Sequence, residues 1–389
     1  MINKVCFLPF WHLQRCIHRN PNLWVFGAWD GVRYSDSSRT FFEYILANHP
    51  EIQAVWLTHS EEIVSRLQRL GFPVALISSK EGRKYMLHAS VFFYVKGALD
   101  ADPRYMHGVH IVNLWHGMPL KQIGADAMKF IRKETLWKKF KTAVRRVLVP
   151  YEFLEGVILS TGPFFRPILS SAFRFTDDQI WELGLPRNDR FFSTTVDPLI
   201  QKLDEAYHRP FKILYMPTHR DACTRTGHPF DPFSEVGFDA KALNEVLESQ
   251  NMVFLYKGHF YDAENKGFST DGRLRTITDD DYDDQYTFIK DVDLLITDYS
   301  SIYFDFLLCR KPILLFPFDE EAYRKQSRPF YFDYSLMEAR RVYTWSELVS
   351  ALKTRNFKSP SEVEVLRFHK YADGNSCRRL MTQLKCKQQ

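Results

Sequence analysis

Short, uniformly apolar runs alternate with stretches whose apolar residues recur every third or fourth position, and the rhythm restarts once along the chain. In the first half, residues 23–26, 53–57, 73–77, 91–95 and 109–114 predict strands. Between them, residues 40–48 place Phe41, Tyr44 and Ile45 on one helical face. Residues 60–70 read as a helix that Ser60 can cap and Gly71 can end, and residues 80–88 as another. After a break near 183–190 the pattern begins again. Strands are predicted at 211–215, 252–256, 294–297 and 312–316, helices at 239–248, 287–291 and 302–309, and a helical tail after Trp345. Strands separated by single helices imply parallel βαβ units, so the fold class expected is α/β with two doubly wound sheets. The expected domains are 1–195 and 196–389, with a hinge between 189 and 210.

Length agrees, because 389 residues exceed what one ordinary core encloses. Aromatic residues make up 15% of the chain, with 33 Phe. Large cores account for most of that excess, and a minority could line a lipid-facing or ligand-facing surface. The six cysteines are scattered, without a CxxC pair or a zinc-like His cluster, and read as reduced thiols of a cytosolic protein. No secretory pattern is read at the start, and no run approaches the roughly 18 apolar residues of a spanning helix.

Net charge is only +5, but its distribution is uneven. The segment 128–148 holds Lys129, Arg132, Lys133, Lys138, Lys139, Lys141, Arg145 and Arg146 against the single acid Glu134. Phe130, Trp137, Phe140, Val144 and Val147 are interleaved. A basic amphipathic helix or helix pair suits an anionic membrane surface or another polyanion; the alternative is a solvated basic face packed on the domain.

Polar residues cluster where the predicted strands end, the edge at which open α/β sheets bind ligands. Trp115-His116-Gly117-Met118-Pro119-Leu120-Lys121 follows the strand at 109–114. Its histidine is placed to take a proton from a hydroxyl, since imidazole titrates near neutral pH. Thr218-His219-Arg220 follows another strand, and Arg220 could bind a phosphate bidentately. Lys257-Gly258-His259 offers two phosphate-binding side chains beside a glycine that permits close backbone approach. Asp298-Tyr299-Ser300-Ser301 opens a helix where free N–H groups and two hydroxyls suit an anion. Asp298 itself would accept hydrogen bonds from loop backbone or a donor hydroxyl. Each cluster also has a bland reading as a surface turn or N-cap. The run Asp279-Asp280-Asp281-Tyr282-Asp283-Asp284 is either a Mg²⁺ site or a solvated loop and cap, and its spacing specifies no metal.

Taken in order, these clusters resemble the CDP-glycerol glycerophosphotransferase family, which includes teichoic-acid primases and polymerases and related capsule enzymes. The resemblance spans about 24–334. It opens with Trp24-Val25-Phe26-Gly27, Tyr34-Ser35-Asp36-Ser37-Ser38 and His49-Pro50-Glu51-Ile52. The segment Trp115 to Lys121 is similar to the family's WHGTPLK, with Met118 in place of Thr and therefore no hydroxyl there. Gly184-Leu185-Pro186-Arg187-Asn188-Asp189 follows. Pro217-Thr218 with Arg220 is similar to PTxR, and Lys257-Gly258-His259 to KxHP, with Phe260 in place of Pro. Leu295-Ile296-Thr297-Asp298-Tyr299-Ser300-Ser301 matches without a break, and 328–334 matches with Pro329 where Gly is usual.

The resemblance implies a GT-B fold, two Rossmann-like domains with the reaction in the cleft between them. It implies His116 as general base and His259 as a contact to the donor pyrophosphate. Ser300 and Ser301 become phosphate ligands, with Arg220, Thr218, Lys257 and Asp298 on the same donor side. Gly27 and Lys121 fall on the acceptor side, and Lys133, Lys138, Lys139, Arg145 and Arg146 on the membrane or polyanion surface. The expected donor is CDP-glycerol or CDP-ribitol. The expected acceptor is a lipid-linked or polymeric glycan or polyol phosphate at the inner face of the cell membrane. No cofactor is required by the pattern, Mg²⁺ stays open, and no nucleic-acid motif is present. The competing readings are a sugar-nucleotide glycosyltransferase on the same fold and a non-catalytic membrane or polyanion-binding module.

Overall fold

A computed structural model describes residues 6–131, 136–150, 156–220, 231–233, 237–258, 272–278, 281–282 and 284–388. They fall into two compact units. The first combines Met1–His116, Ile131–Phe192 and Asp373–Gln389; the second combines Gly117–Phe130 and Ser193–Ala372. The change at 192–193 lies within the expected hinge. Two exchanges differ from the expected 195/196 division: the segment after His116 joins the second unit, and the C-terminal helix joins the first.

The first unit is built on seven parallel strands in the order β3-β2-β1-β4-β5-β6-β7. These are β1 (Asn20–Phe26), β2 (Gln53–Thr58), β3 (Val74–Leu76), β4 (Ala89–Tyr94), β5 (His110–Asn113), β6 (Val157–Ser160) and β7 (Ile180–Glu182). The five predicted strands are the first five. The pair β6 and β7 was not predicted. The helix Asp36–Asn48 begins a turn earlier than its apolar face suggested. Phe26 and Phe93 stack at 4.6 Å, and Trp24, Phe41, Phe42 and Trp56 close round them. The Ser60 hydroxyl accepts from Ile63 N, the cap its position promised. The C-terminal helix, Ser376–Gln388, is tied in at its start: Asp189 accepts from Ser376 N and Cys377 N, each at 2.8 Å.

The second unit has six parallel strands in the order β10-β9-β8-β11-β12-β13. These are β8 (Phe211–Met216), β9 (Met252–Tyr256), β10 (Leu274–Thr276), β11 (Leu294–Thr297), β12 (Ile313–Leu315) and β13 (Arg340–Arg341). Tyr215, Phe254, Tyr256, Phe316 and Trp345 fill its core with tilted and edge-on ring contacts. Aromatic richness is therefore mostly core packing in both units. Truncating one such ring to Ala typically costs about 3–5 kcal/mol.

In each sheet the strand order reverses once, between β1 and β4 and between β8 and β11. Loops leaving neighbouring strands diverge at that point and open a crevice at the carboxyl edge. Two of the polar clusters read from the sequence, those after β8 and β11, leave the sheet at this position in the second unit; the clusters after β5 and β9 leave the adjacent strands.

Candidate active site

In the first unit the chain leaves β5 through a turn in which Trp115 has φ +58°, a conformation unusual for a bulky residue. The Asn113 side chain holds it by accepting from Trp115 N at 2.9 Å. The turn delivers His116 to the crevice edge between two indoles, with Trp115 at 4.1 Å and Trp29 at 5.4 Å between ring centroids. His116 Nδ1 lies 2.7 Å from the Val95 carbonyl oxygen. A carbonyl only accepts, so Nδ1 carries the proton and Nε2 keeps its lone pair. Burial pushes this imidazole below its ordinary 6.5, against the carbonyl and Asp36, which favour the charged form; Arg187 and Lys96 add to the lowering. The group is a neutral base at physiological pH, with its acceptor nitrogen pre-selected.

In the second unit the loops after β8, β11 and β12 form one charged frame. Asp298 is fully buried. Its Oδ1 accepts from Thr218 N (2.8 Å), Thr218 Oγ1 (2.6 Å) and Tyr299 N (2.6 Å). Its Oδ2 pairs with Arg220 Nη1 at 2.8 Å. Arg220 grips Asp319 bidentately through Nε (2.7 Å) and Nη2 (2.9 Å) and also donates to Thr218 O. Tyr299 and Tyr323 stack at 4.0 Å, with the guanidinium 4.8 Å from the Tyr323 ring. Tyr334 OH donates to Asp298 O at 2.9 Å. The neighbouring carboxylates raise the Arg220 pKa despite burial, so its charge is permanent.

Arg220, expected as a phosphate ligand, has both sides of its fork engaged by Asp298 and Asp319 and joins the loops after β8, β11 and β12. Asp298 does accept from loop backbone, as read. Thr218 spends its hydroxyl on Asp298. Lys121, expected on the acceptor side, belongs to the second unit, where its Nζ lies 2.7 Å from Tyr323 OH. Residues 120–122 are held there by a bridge between Lys121 and Phe330 and by Gln122 N donating to Pro329 O.

The sequence model of the family described as CDP-glycerol:poly(glycerophosphate) glycerophosphotransferase matches residues 10–385. The chain belongs to this family. It is 29% identical over 342 residues to the teichoic acid poly(glycerol phosphate) polymerase of Bacillus subtilis (strain 168), covering 85% of this chain but 43% of that protein. Thus the chain spans less than half of that relative. It is 26% identical over 351 residues to the teichoic acid glycerol-phosphate transferase of Staphylococcus aureus (strain NCTC 8325 / PS 47), covering 86% and 84% of the two. Among solved structures, a histidine-to-alanine variant of the wall teichoic acid polymerase TagF superposes with a TM-score of 0.77 at 21% identity, covering 99% of this chain and 95% of that one. That likeness establishes the GT-B fold.

For this glycerophosphotransferase-family chain, the remaining predicted residues divide as follows. Ser300 and Ser301 stand half-buried at the crevice edge of the second unit, and Ser301 makes no side-chain capping bond to the short helix Ile302–Phe306. Lys257 follows β9, with its Nζ 5.2 Å from the Tyr282 ring. Gly258 lies against Tyr256 OH, which a Cβ would approach to 3.2 Å. His259 lies outside the described residues, as do Asp279, Asp280 and Asp283. Asp281 accepts from Thr278 and Asp284 caps the helix Gln285–Phe288, so both have structural work. Among the described residues no group of His, Cys, Asp and Glu is arranged to hold a metal. Gly27 packs against the backbone of Asp100, and its carbonyl accepts from Ser38 Oγ at 2.8 Å.

The sequence reading gave no site role to Asp319, Tyr323 or Trp29. Asp319 follows a predicted strand on the same edge and could have been flagged by that rule; the ring stack and the indole at His116 depend on closure of distant loops.

The basic segment forms helices Gly124–Ile131 and Leu136–Leu148. On the second, Trp137 (62%), Phe140 (58%), Val144 (39%) and Val147 (71%) are exposed at i, i+3, i+7 and i+10. The Trp137 and Phe140 rings stack at 5.7 Å, and Lys141, Arg145 and Arg146 are exposed beside them. Lys133 lies outside the described residues, and so do the side chains of Lys138 and Lys139. Among the described residues no helix is long and apolar enough to cross a membrane.

Proposed function

We propose that this protein transfers glycerol phosphate, or a closely related polyol phosphate, from its CDP-activated form to an acceptor hydroxyl in synthesis of a teichoic-acid-like or capsular polymer. The observation that carries the reading is a half-buried, neutral histidine in the family's WHG-type motif whose Nδ1–H is spent on Val95 O. That leaves Nε2 as the only nitrogen able to accept a proton. The acceptor oxygen attacks the phosphorus that bears the polyol. Its proton passes to His116 Nε2 as the new O–P bond forms. The bond from that phosphorus to the bridging oxygen breaks, and CMP departs in line. Ser300, Ser301 and Lys257 of the second unit are the donor-phosphate ligands in this scheme, joined by His259. The Arg220–Asp298–Asp319 clamp holds their loops rather than touching phosphate.

The exposed stripe of the helix Leu136–Leu148 supports a second part of the proposal, peripheral docking on an anionic membrane at the inner face, where a lipid-linked acceptor would lie. Apolar residues exposed at helical spacing beside cations suit the headgroup boundary.

CMP release tests the reaction. Purified protein given CDP-glycerol or CDP-ribitol with a polyol-phosphate acceptor is expected to release CMP, and His116→Ala to lower turnover about 10²–10⁴-fold while the donor still binds. Release of UDP or GDP from sugar nucleotides instead, or near-normal turnover by the variant, would overturn the reading.

A further inference from the structure

The imidazole of His116 is oriented by a backbone carbonyl, and an unoccupied rotamer or a flipped peptide would release it. The fixing element is a buried carboxylate that accepts three backbone hydrogen bonds.

 That carboxylate belongs to Asp100, which is fully buried at the end of the short helix Ala98–Asp100. Its Oδ2 accepts from Val95 N at 2.9 Å and Lys96 N at 3.0 Å, and its Oδ1 accepts from Asp30 N at 2.6 Å. The Val95 residue gripped through its N–H is the one whose carbonyl receives His116 Nδ1–H. Asp30 and Trp29 form a left-handed turn, with φ +58° and +52°, and Trp29 is the indole that flanks His116. On the other side Gly27 leaves room for the loop: a Cβ there would lie 2.0 Å from Asp100 O. One side chain therefore ties together the loops leaving β1 and β4, at the place where the strand order reverses.

We propose that Asp100 is the positioning residue for the general base, acting through the Val95 peptide and the Trp29–Asp30 turn to hold His116 in its Nδ1–H tautomer. A carboxylate bonded directly to imidazole would raise its basicity strongly. Here an intervening peptide passes on orientation while the imidazole stays neutral. The inference rests on the proposed role of His116 as base. Apart from the Val95 carbonyl, the charged groups that bear on this imidazole are Asp36, Arg187 and Lys96, and Asp100→Asn leaves all three in place.

Asp100→Asn keeps the shape but turns one acceptor into an N–H₂ facing backbone N–H. It is expected to lower kcat on the order of 10–100-fold, as loss of outer-shell support commonly does. KM for CDP-glycerol should stay within about twofold. The acid limb of kcat/KM should move to lower pH, because the Val95 bond favours the protonated imidazole and its loss removes that support. In the His116→Ala background the same substitution should cost almost no further turnover, since nothing remains to be oriented. Equal losses in both backgrounds, or a kcat that only tracks the folded fraction with an unmoved pH limb, would overturn the proposal. Full turnover by His116→Ala alone would instead sink the general-base reading beneath it. Should Asp100→Asn fail to fold, ¹⁵N-histidine spectra of the unaltered protein decide: a His116 signal of the Nε2–H tautomer at neutral pH refutes the proposal, and the Nδ1–H tautomer supports it.

Discussion

Replacing Arg220 by Ala separates a structural clamp from a phosphate ligand. The guanidinium is buried and contacts two carboxylates, Asp298, which is fully buried, and Asp319, which is one-fifth exposed. Removing it leaves both facing one another without their cation. Breaking a buried pair in this way costs about 3–5 kcal/mol, most of it the stranded charge. For a unit of this size each kcal/mol lowers Tm by about 2–4 °C, so the second unit should melt roughly 6–20 °C lower. A compensated variant, Arg220→Met with Asp298→Asn and Asp319→Asn, removes charge from all three partners and should recover most of that loss. The assay is a pair of measurements on each variant: thermal unfolding by calorimetry, and CDP-glycerol affinity by titration at a temperature where the protein is folded. The clamp predicts a large fall in Tm, partial recovery in the compensated variant, and weaker donor binding only as far as the loops loosen. A Tm within about 1 °C of the unaltered protein, together with at least a tenfold loss of donor affinity, would refute the clamp and restore Arg220 as a phosphate ligand.

Other outcomes follow from the same structure. His369 is buried, bonded through Nε2 to Phe304 O, and lowered by burial to about 4. The unfolded chain takes up that proton near 6.5 and the folded one only near 4. Stability should therefore fall by about 3 kcal/mol as pH drops across that window, and His369→Gln should flatten the dependence in pH-resolved denaturant titrations. Trp137→Glu with Phe140→Glu should abolish sedimentation with anionic vesicles while CMP release to a soluble acceptor persists; retained sedimentation would remove this helix from the membrane proposal. Ser301→Ala should raise KM for CDP-glycerol about two- to tenfold, the worth of one hydrogen bond, without moving Tm, because the hydroxyl makes no capping bond. An unchanged KM would take Ser301 off the donor site.

The chain's local pattern was enough to reveal the two α/β repeats, the strands that carry the site, and the polar clusters at their carboxyl ends. Apolar spacing reflects which face of an element is buried, and Ser60 beside a helix start reports its own cap. Motif order was enough to reach the family. Partner choice was not legible. Arg220 reads as a phosphate ligand in the sequence, where its pairing with Asp319, 99 residues later, is invisible. Lys121 meets Tyr323 across 202 positions, and Asp100 reaches Asp30 across 70. The C-terminal helix returns to Asp189 from 187 positions away. A charged side chain is satisfied by whichever opposite group the folded chain brings within about 3 Å, and that proximity is created by sheet order and loop closure rather than by neighbours in sequence. The chemistry available at the site was thus written in residue types, while the division between groups that stay reactive and groups that hold the frame was made only by the tertiary structure.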